Sequence, residues 1–263
     1  MNIWQVKSNF HDSSILLLKD SNEQSFHTAK KIQKMHAIYV NKADFPSTEK
    51  AKAHSKLQAF CYKFQVSNYL LEQLWALSHT RRMRVYDAIL NSLDVMDTTD
   101  DELMLVSLHL ENFLLQSRAF LDFYLLYLLS ILRTAYEGSI SREKFQKQLK
   151  ISDTSKAIWL SEYFETKVFG NTDWSGMNPN DWGTLLVSLR DKVAHRDRLK
   201  YSFDGQEEIT KGILHTWPTI TEITYDRFCQ YIQNGMFSML EDISKQIYEL
   251  EWIPGHYRED MWE

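Results

Sequence analysis

Apolar residues recur at three- and four-residue intervals along most of this chain. The longest such stripe runs from about 100 to 136, through Leu103, Val106, Leu110, Phe113/Leu114, Phe120/Leu121, Tyr124/Leu125, Leu128 and Ile131/Leu132. That period predicts one long helix as the core spine. Thr99-Asp100-Asp101-Glu102 opens it as a capping box, the Thr side chain meeting the first amides and the Glu reaching back. The same period predicts a helix over 28–40 (Ile32, Met35, Ile38/Tyr39), with Lys30, Lys31 and Lys34 on its solvated side. A second starts at Pro46-Ser47-Thr48-Glu49 and runs to about Leu77 through Leu57, Phe60/Cys61, Phe64, Leu71 and Leu74/Trp75. Shorter helices follow at Arg142 to Leu149, capped by Ser141, and at about 153–169, stopped by Gly170. Leu185, Leu186, Leu189 and Val193 put a further helix within Asp181 to Lys200. Thr224 caps the last, which keeps helical spacing at Phe228, Ile232, Met236, Leu240, Ile243, Ile247 and Leu250.

Only three stretches depart from this pattern. Residues 1–20 hold two short apolar runs, Ile3 to Val6 and Ile15 to Leu18, read as a small hairpin or irregular cover. Residues 170–182 gather Gly, Asn, Asp and Pro into a loop carrying Trp174 and Trp182, rings suited to anchoring it or to stacking on bases. Residues 208–217 and 219–224, split by Pro218, read as a small β-ribbon before the last helix. The expected organisation is a mainly α fold: an N-terminal helical extension over 1–97, a helical domain over 98–252 and a tail over 253–263.

Composition narrows the class without naming a function. The chain has 263 residues, 44% hydrophobic and 13% aromatic, enough for an ample core. Eight Gly and four Pro suit long helices. The net charge of −5 supplies no global field for nucleic acid, so any attraction must be local. Cys61 and Cys229 stand far apart without metal-ligand neighbours, which excludes a disulfide scaffold and fits a reducing cytoplasm. No signal-peptide pattern opens the sequence, and the most apolar run, Phe123 to Leu132, is too short to span a bilayer. No His or Cys spacing matches a metal motif, and no P-loop, G-x-G-x-x-G or G-x-S-x-G is present, so no cofactor is expected.

The chemistry concentrates at Arg190-Asp191-Lys192-Val193-Ala194-His195, where Lys192, Arg196, Arg198 and Lys200 form a basic cluster. Asp191 and His195 are one helical turn apart, so the carboxylate can orient the imidazole. A His near neutral pKa serves as acid or base, and an Arg fork holds two phosphate oxygens. The plain alternative is a set of cations favoured at a helix C-terminus by the helix dipole. Elsewhere, Arg118 and Asp122 stand at i, i+4 and are expected to form an intrahelical ion pair. Arg81, Arg82 and Arg84 make a compact basic group at a helix junction.

The Arg190 to His195 spacing resembles the R-x(4–6)-H signature of HEPN domains, all-α folds of which many are metal-independent ribonucleases in defence and toxin systems. The resemblance implies a HEPN-like helical bundle acting as an endoribonuclease. His195 would be the general acid/base, Arg190 the phosphate binder and Asp191 a polar helper, with Lys192, Arg196 and Arg198 contacting RNA. It also implies a homodimer that joins two motifs in one cleft, since one His cannot serve as base and acid together, and an antitoxin or defence-complex partner. A non-catalytic HEPN module binding RNA, nucleotide or protein is the alternative.

Overall fold

The computed structural model describes residues 3–90, 100–134, 136–170, 180–194, 219–220 and 223–249. At 3–22, 75, 78–90, 100–103, 192, 194, 219–220 and 223–227 it describes the backbone only. The chain order is α1 (Ile3–Lys42), α2 (Ser47–Leu90), α3 (Asp100–Ile131), α4 (Arg142–Ser152), α5 (Ser155–Tyr163) with a π turn at Phe164–Val168, α6 (Trp182–Ala194), β1 (Thr219–Ile220), β2 (Ile223–Thr224) and α7 (Tyr225–Tyr248). The protein is mainly helical, as the periodicity requires.

Two helices run longer than the sequence reading expects, and both for the same reason. Residues 3–20 continue α1 as helix rather than forming a hairpin or irregular cover, and α2 runs on past Leu77 to Leu90. No glycine precedes Gly138 and the first proline is Pro46, so neither helix meets a residue that would stop it. Arg81, Arg82 and Arg84 therefore lie within α2 and not at a junction. Of the β-ribbon expected over 208–217 and 219–224, the first run lies outside the described residues. Within them, β1 and β2 pair antiparallel, Thr219 opposite Thr224 and Ile220 opposite Ile223.

α3 ends at Ile131, short of the expected 136, because Arg133 takes a left-handed conformation with φ 56°. Its amide bonds Ser130 O at 3.1 Å and the Thr134 amide bonds Leu129 O at 3.0 Å. This is a Schellman closure built on an arginine where glycine is usual. The arginine side chain compensates for the strain. Its Nη2 donates to Ala43 O at 2.6 Å and Asp44 O at 3.2 Å, and the guanidinium covers the Phe45 ring at 4.2 Å. The end of α3 thus clamps the α1–α2 turn.

One apolar core joins all the long helices. From α2, Phe60 and Phe64 are fully buried against Phe120 and Tyr124 of α3. From α7, Phe228, Ile232, Met236, Leu240, Ile243 and Ile247 are at most 1% exposed, so the predicted stripe is the buried one. Cys61 and Cys229 are buried free thiols, and burial pushes Cys61 up to about 12. A polar chain crosses this core: His36 Nδ1 lies 3.0 Å from the Tyr127 hydroxyl, which hydrogen-bonds the Tyr248 hydroxyl. Lys156 of α5 ties down the end of α7, reaching Ile247 O and Glu249 Oε1, each at 2.8 Å. Helix α3 over Met104–Ile131 is long and apolar enough to cross a membrane by length and composition, and over half of that window is buried inside the bundle.

Candidate functional site

Helix α6 carries the motif, and its seating begins with its first residue. The Asp181 carbonyl accepts the first helical bond from Leu185 N at 3.1 Å. Trp182 is 1% exposed, so its ring anchors the helix and is not presented to a base. It lies flat on α7 at Gly235, where a Cβ would stand 2.5 Å from Trp182 Cδ1. Gly183 is equally tight against the π turn, since a Cβ there would stand 2.6 Å from Val168 Cγ1. Leu185, Leu186 and Leu189 then bury the inner face, as their spacing predicts, and Val193 packs at its margin. The glycine in α7, a mild flaw by helix propensity, is what lets α6 come close.

That seating leaves Arg190 and Asp191 at the open edge of the helix, with side chains 39% and 49% exposed. Arg190 Nη1 donates to Asp191 Oδ1 at 2.8 Å. An ion pair this open contributes roughly 0–1 kcal/mol, so the guanidinium exchanges partners at little cost. Lys192 lies on α6, and only its backbone is described. His195, Arg196 and Arg198 lie outside the described residues, as does Trp174. His195 follows directly on Ala194, the last described residue of α6.

The wall beside Arg190 is α3. Arg118 Nη2 lies 3.0 Å from Asp122 Oδ1, the ion pair expected from their spacing. Their side chains are 12% and 31% exposed, and Asp122 Oδ1 makes no aligned hydrogen bond, so the contact is chiefly coulombic. Burial raises the Asp122 pKa above the ordinary carboxylate range. The Arg118 and Arg190 charges oppose that rise, while Asp191 adds to it. Arg118 also helps hold down the Glu143 carboxyl, after the larger effects of the Ser141 hydroxyl and the backbone at the start of α4. The fold therefore brings Arg118 and Asp122 into the same electrostatic neighbourhood as Arg190 and Asp191. Spacing along the sequence could not show that meeting, because it joins positions about seventy residues apart. The four groups balance in charge: two guanidiniums and two carboxylates, one of the latter with a raised pKa.

Among the described residues, no three His, Cys, Asp or Glu side chains converge as a metal site. Compared with family models, curated proteins and solved structures, the chain matches none.

Proposed function

We propose that this chain is a metal-independent endoribonuclease of the HEPN type, a helical bundle whose site is built on α6. The observation that carries the reading is the state of Arg190. It is displayed at the helix edge five residues ahead of His195, held among the described residues by one open ion pair, on a helix locked in place by Trp182. A guanidinium so placed can exchange the Asp191 oxygen for two oxygens of a phosphodiester. His195 then moves the proton, taking it from the attacking 2′-hydroxyl or giving it to the leaving oxygen. Attack by that hydroxyl leaves a 2′,3′-cyclic phosphate, and DNA lacks the group that attacks. In a homodimer two such motifs would divide the roles of base and acid across one cleft. The HEPN resemblance would place such an enzyme in cytoplasmic defence or toxin action, with an antitoxin or defence-complex partner restraining it.

A second reading has its own support. The local charge balance around Arg190 suits a module that binds RNA, nucleotide or a partner protein without cleaving. One assay separates the two. Purified protein is incubated with single-stranded RNA in EDTA beside His195→Ala and Arg190→Ala. The ribonuclease reading expects cyclic-phosphate ends and a loss of roughly 10²-fold or more in each variant. Arg190→Lys should recover only part, for want of the planar fork. Equal cleavage by wild type and His195→Ala would refute it, and binding without cleavage would favour the second reading.

A further inference from the structure

The solvent face of α2 is unusual for a helix of this length. Tyr62, Gln65, Val66 and Tyr69 follow one another at i, i+3, i+4 and i+7, so they share a face. That face lies opposite the fully buried Phe60, Phe64, Ser67 and Asn68. An outward stripe is ordinarily charged or polar. Here Tyr62 and Tyr69 are 61% and 54% exposed, and Phe26 of α1, 47% exposed, stands beside them. With Ser25 these residues line a groove of about 390 Å³ between α1 and α2, and no carboxylate is among them.

The cations at this groove are held close to its rings. Lys30 Nζ lies 4.3 Å from the centroid of Phe26 and Lys63 Nζ lies 5.7 Å from that of Tyr62. Lys63 also donates to Gln116 of α3 at 2.8 Å, which fixes its ammonium beside Tyr62 on the α3 side of α2. By helical rise Tyr62 and Tyr69 are about 10 Å apart along the axis, at ~1.5 Å per residue. That span matches about three bases stacked at ~3.4 Å. A helix from another protein would also value the apolar stripe, but it would not call for paired ammoniums beside rings with no carboxylate among the described lining residues. Aromatic faces flanked by cations are what a strand of unpaired bases with phosphates requires.

We propose that this groove binds single-stranded nucleic acid, with bases stacked on Tyr62, Tyr69 and Phe26 and phosphates drawn by Lys30 and Lys63. The assignment of the strand as RNA rests on the ribonuclease reading; the groove itself does not depend on cleavage. The test uses the full chain carrying Arg190→Ala, so that cutting is slowed roughly 10²-fold or more, in EDTA. Fluorescence anisotropy is followed with a labelled oligo-uridine and with a labelled oligo-deoxythymidine of equal length. Both should bind, more weakly as salt rises. Tyr62→Ala with Tyr69→Ala should weaken binding by roughly fivefold or more for each ring removed. Tyr62→Phe with Tyr69→Phe should preserve binding, because the π face remains. Lys30→Gln with Lys63→Gln should flatten the salt dependence. Binding of the DNA strand supports the groove even where the RNA-cleavage assay fails. No binding of either strand, or binding indifferent to the tyrosines, overturns the proposal. So does a change of oligomeric state in the alanine variant by sedimentation, which would make the groove a protein interface.

Discussion

Replacing Gly235 by alanine sets two physical effects against each other, and their sum has a sign. By helix propensity alone, alanine inside α7 should stabilise the protein by about 1 kcal/mol. By packing it should do the reverse. The new Cβ would lie 2.5 Å from Trp182 Cδ1 and Cδ2, where carbon atoms prefer ~3.5–4.0 Å. The indole must therefore retreat by about 1 Å, yet it is buried at 1% exposure with α6 built upon it. Overpacking of this kind costs about 1–3 kcal/mol, and a ring this deeply buried belongs at the upper end. The net expectation is a loss of about 1–2 kcal/mol. The decisive comparison is the same substitution in a Trp182→Ala background, itself destabilised by about 3–5 kcal/mol. With the indole gone the clash disappears and propensity acts alone, so Gly235→Ala should now stabilise by about 1 kcal/mol. Urea unfolding of the four proteins measures the cycle. Stabilisation by Gly235→Ala in the wild-type background would show that Trp182 is not seated against α7, and the account of α6 would fail with it.

Two further predictions concern buried charge. His36 is 3% exposed and its pKa falls to about 4, by burial first and the nearby His54 second. The folded state thus favours the neutral ring, while the unfolded chain titrates near 6.5. The His36 contribution is complete above ~6.5 and is lost as pH falls toward about 4, by at most about 3 kcal/mol. His36→Asn, which keeps a polar atom near the Tyr127 hydroxyl, should flatten the stability profile across that window. An unchanged slope in unfolding experiments would contradict it. Arg118→Met removes the partner of Asp122 while retaining bulk, and should cost about 2 kcal/mol at neutral pH by leaving a half-buried carboxylate unpaired. Because the Asp122 pKa is already raised, that cost should shrink as acid protonates it. A cost independent of pH would assign the loss to packing instead.

What could be read along the chain was whatever repeats every turn. The α3 stripe from Leu110 to Ile131, the α7 stripe from Phe228 to Ile247 and the inner face of α6 are buried as their spacing requires. The Ser141 cap is in place, its hydroxyl accepting from Lys144 N. Local chemistry misled where two signals competed. The apolar runs near Ile3 and Ile15 looked strand-like, but an uninterrupted stretch without Gly or Pro prevailed and α1 is helical there. Arg133 stops α3 early through a side chain reaching ninety residues back to the Ala43 carbonyl, a contact no local pattern encodes. Of the candidate site, the described residues hold Arg190 and Asp191, side by side on α6 as their positions in the sequence require. Its neighbours Arg118 and Asp122 were visible as a pair, but their approach to α6 depends on how two helices pack.

The fit of Trp182 against Gly235 also says how relatives of this chain could be recognised. Arginine and histidine at short spacing are common enough to occur by accident, so the motif alone is a poor marker of descent. A large ring at the start of the motif helix and a bare backbone in the final helix form a lock whose halves cannot drift separately. A lineage that enlarges the second must shrink the first. Covariation between those two distant positions, together with the Arg190 spacing, would therefore distinguish inherited architecture from chance resemblance where overall similarity has faded.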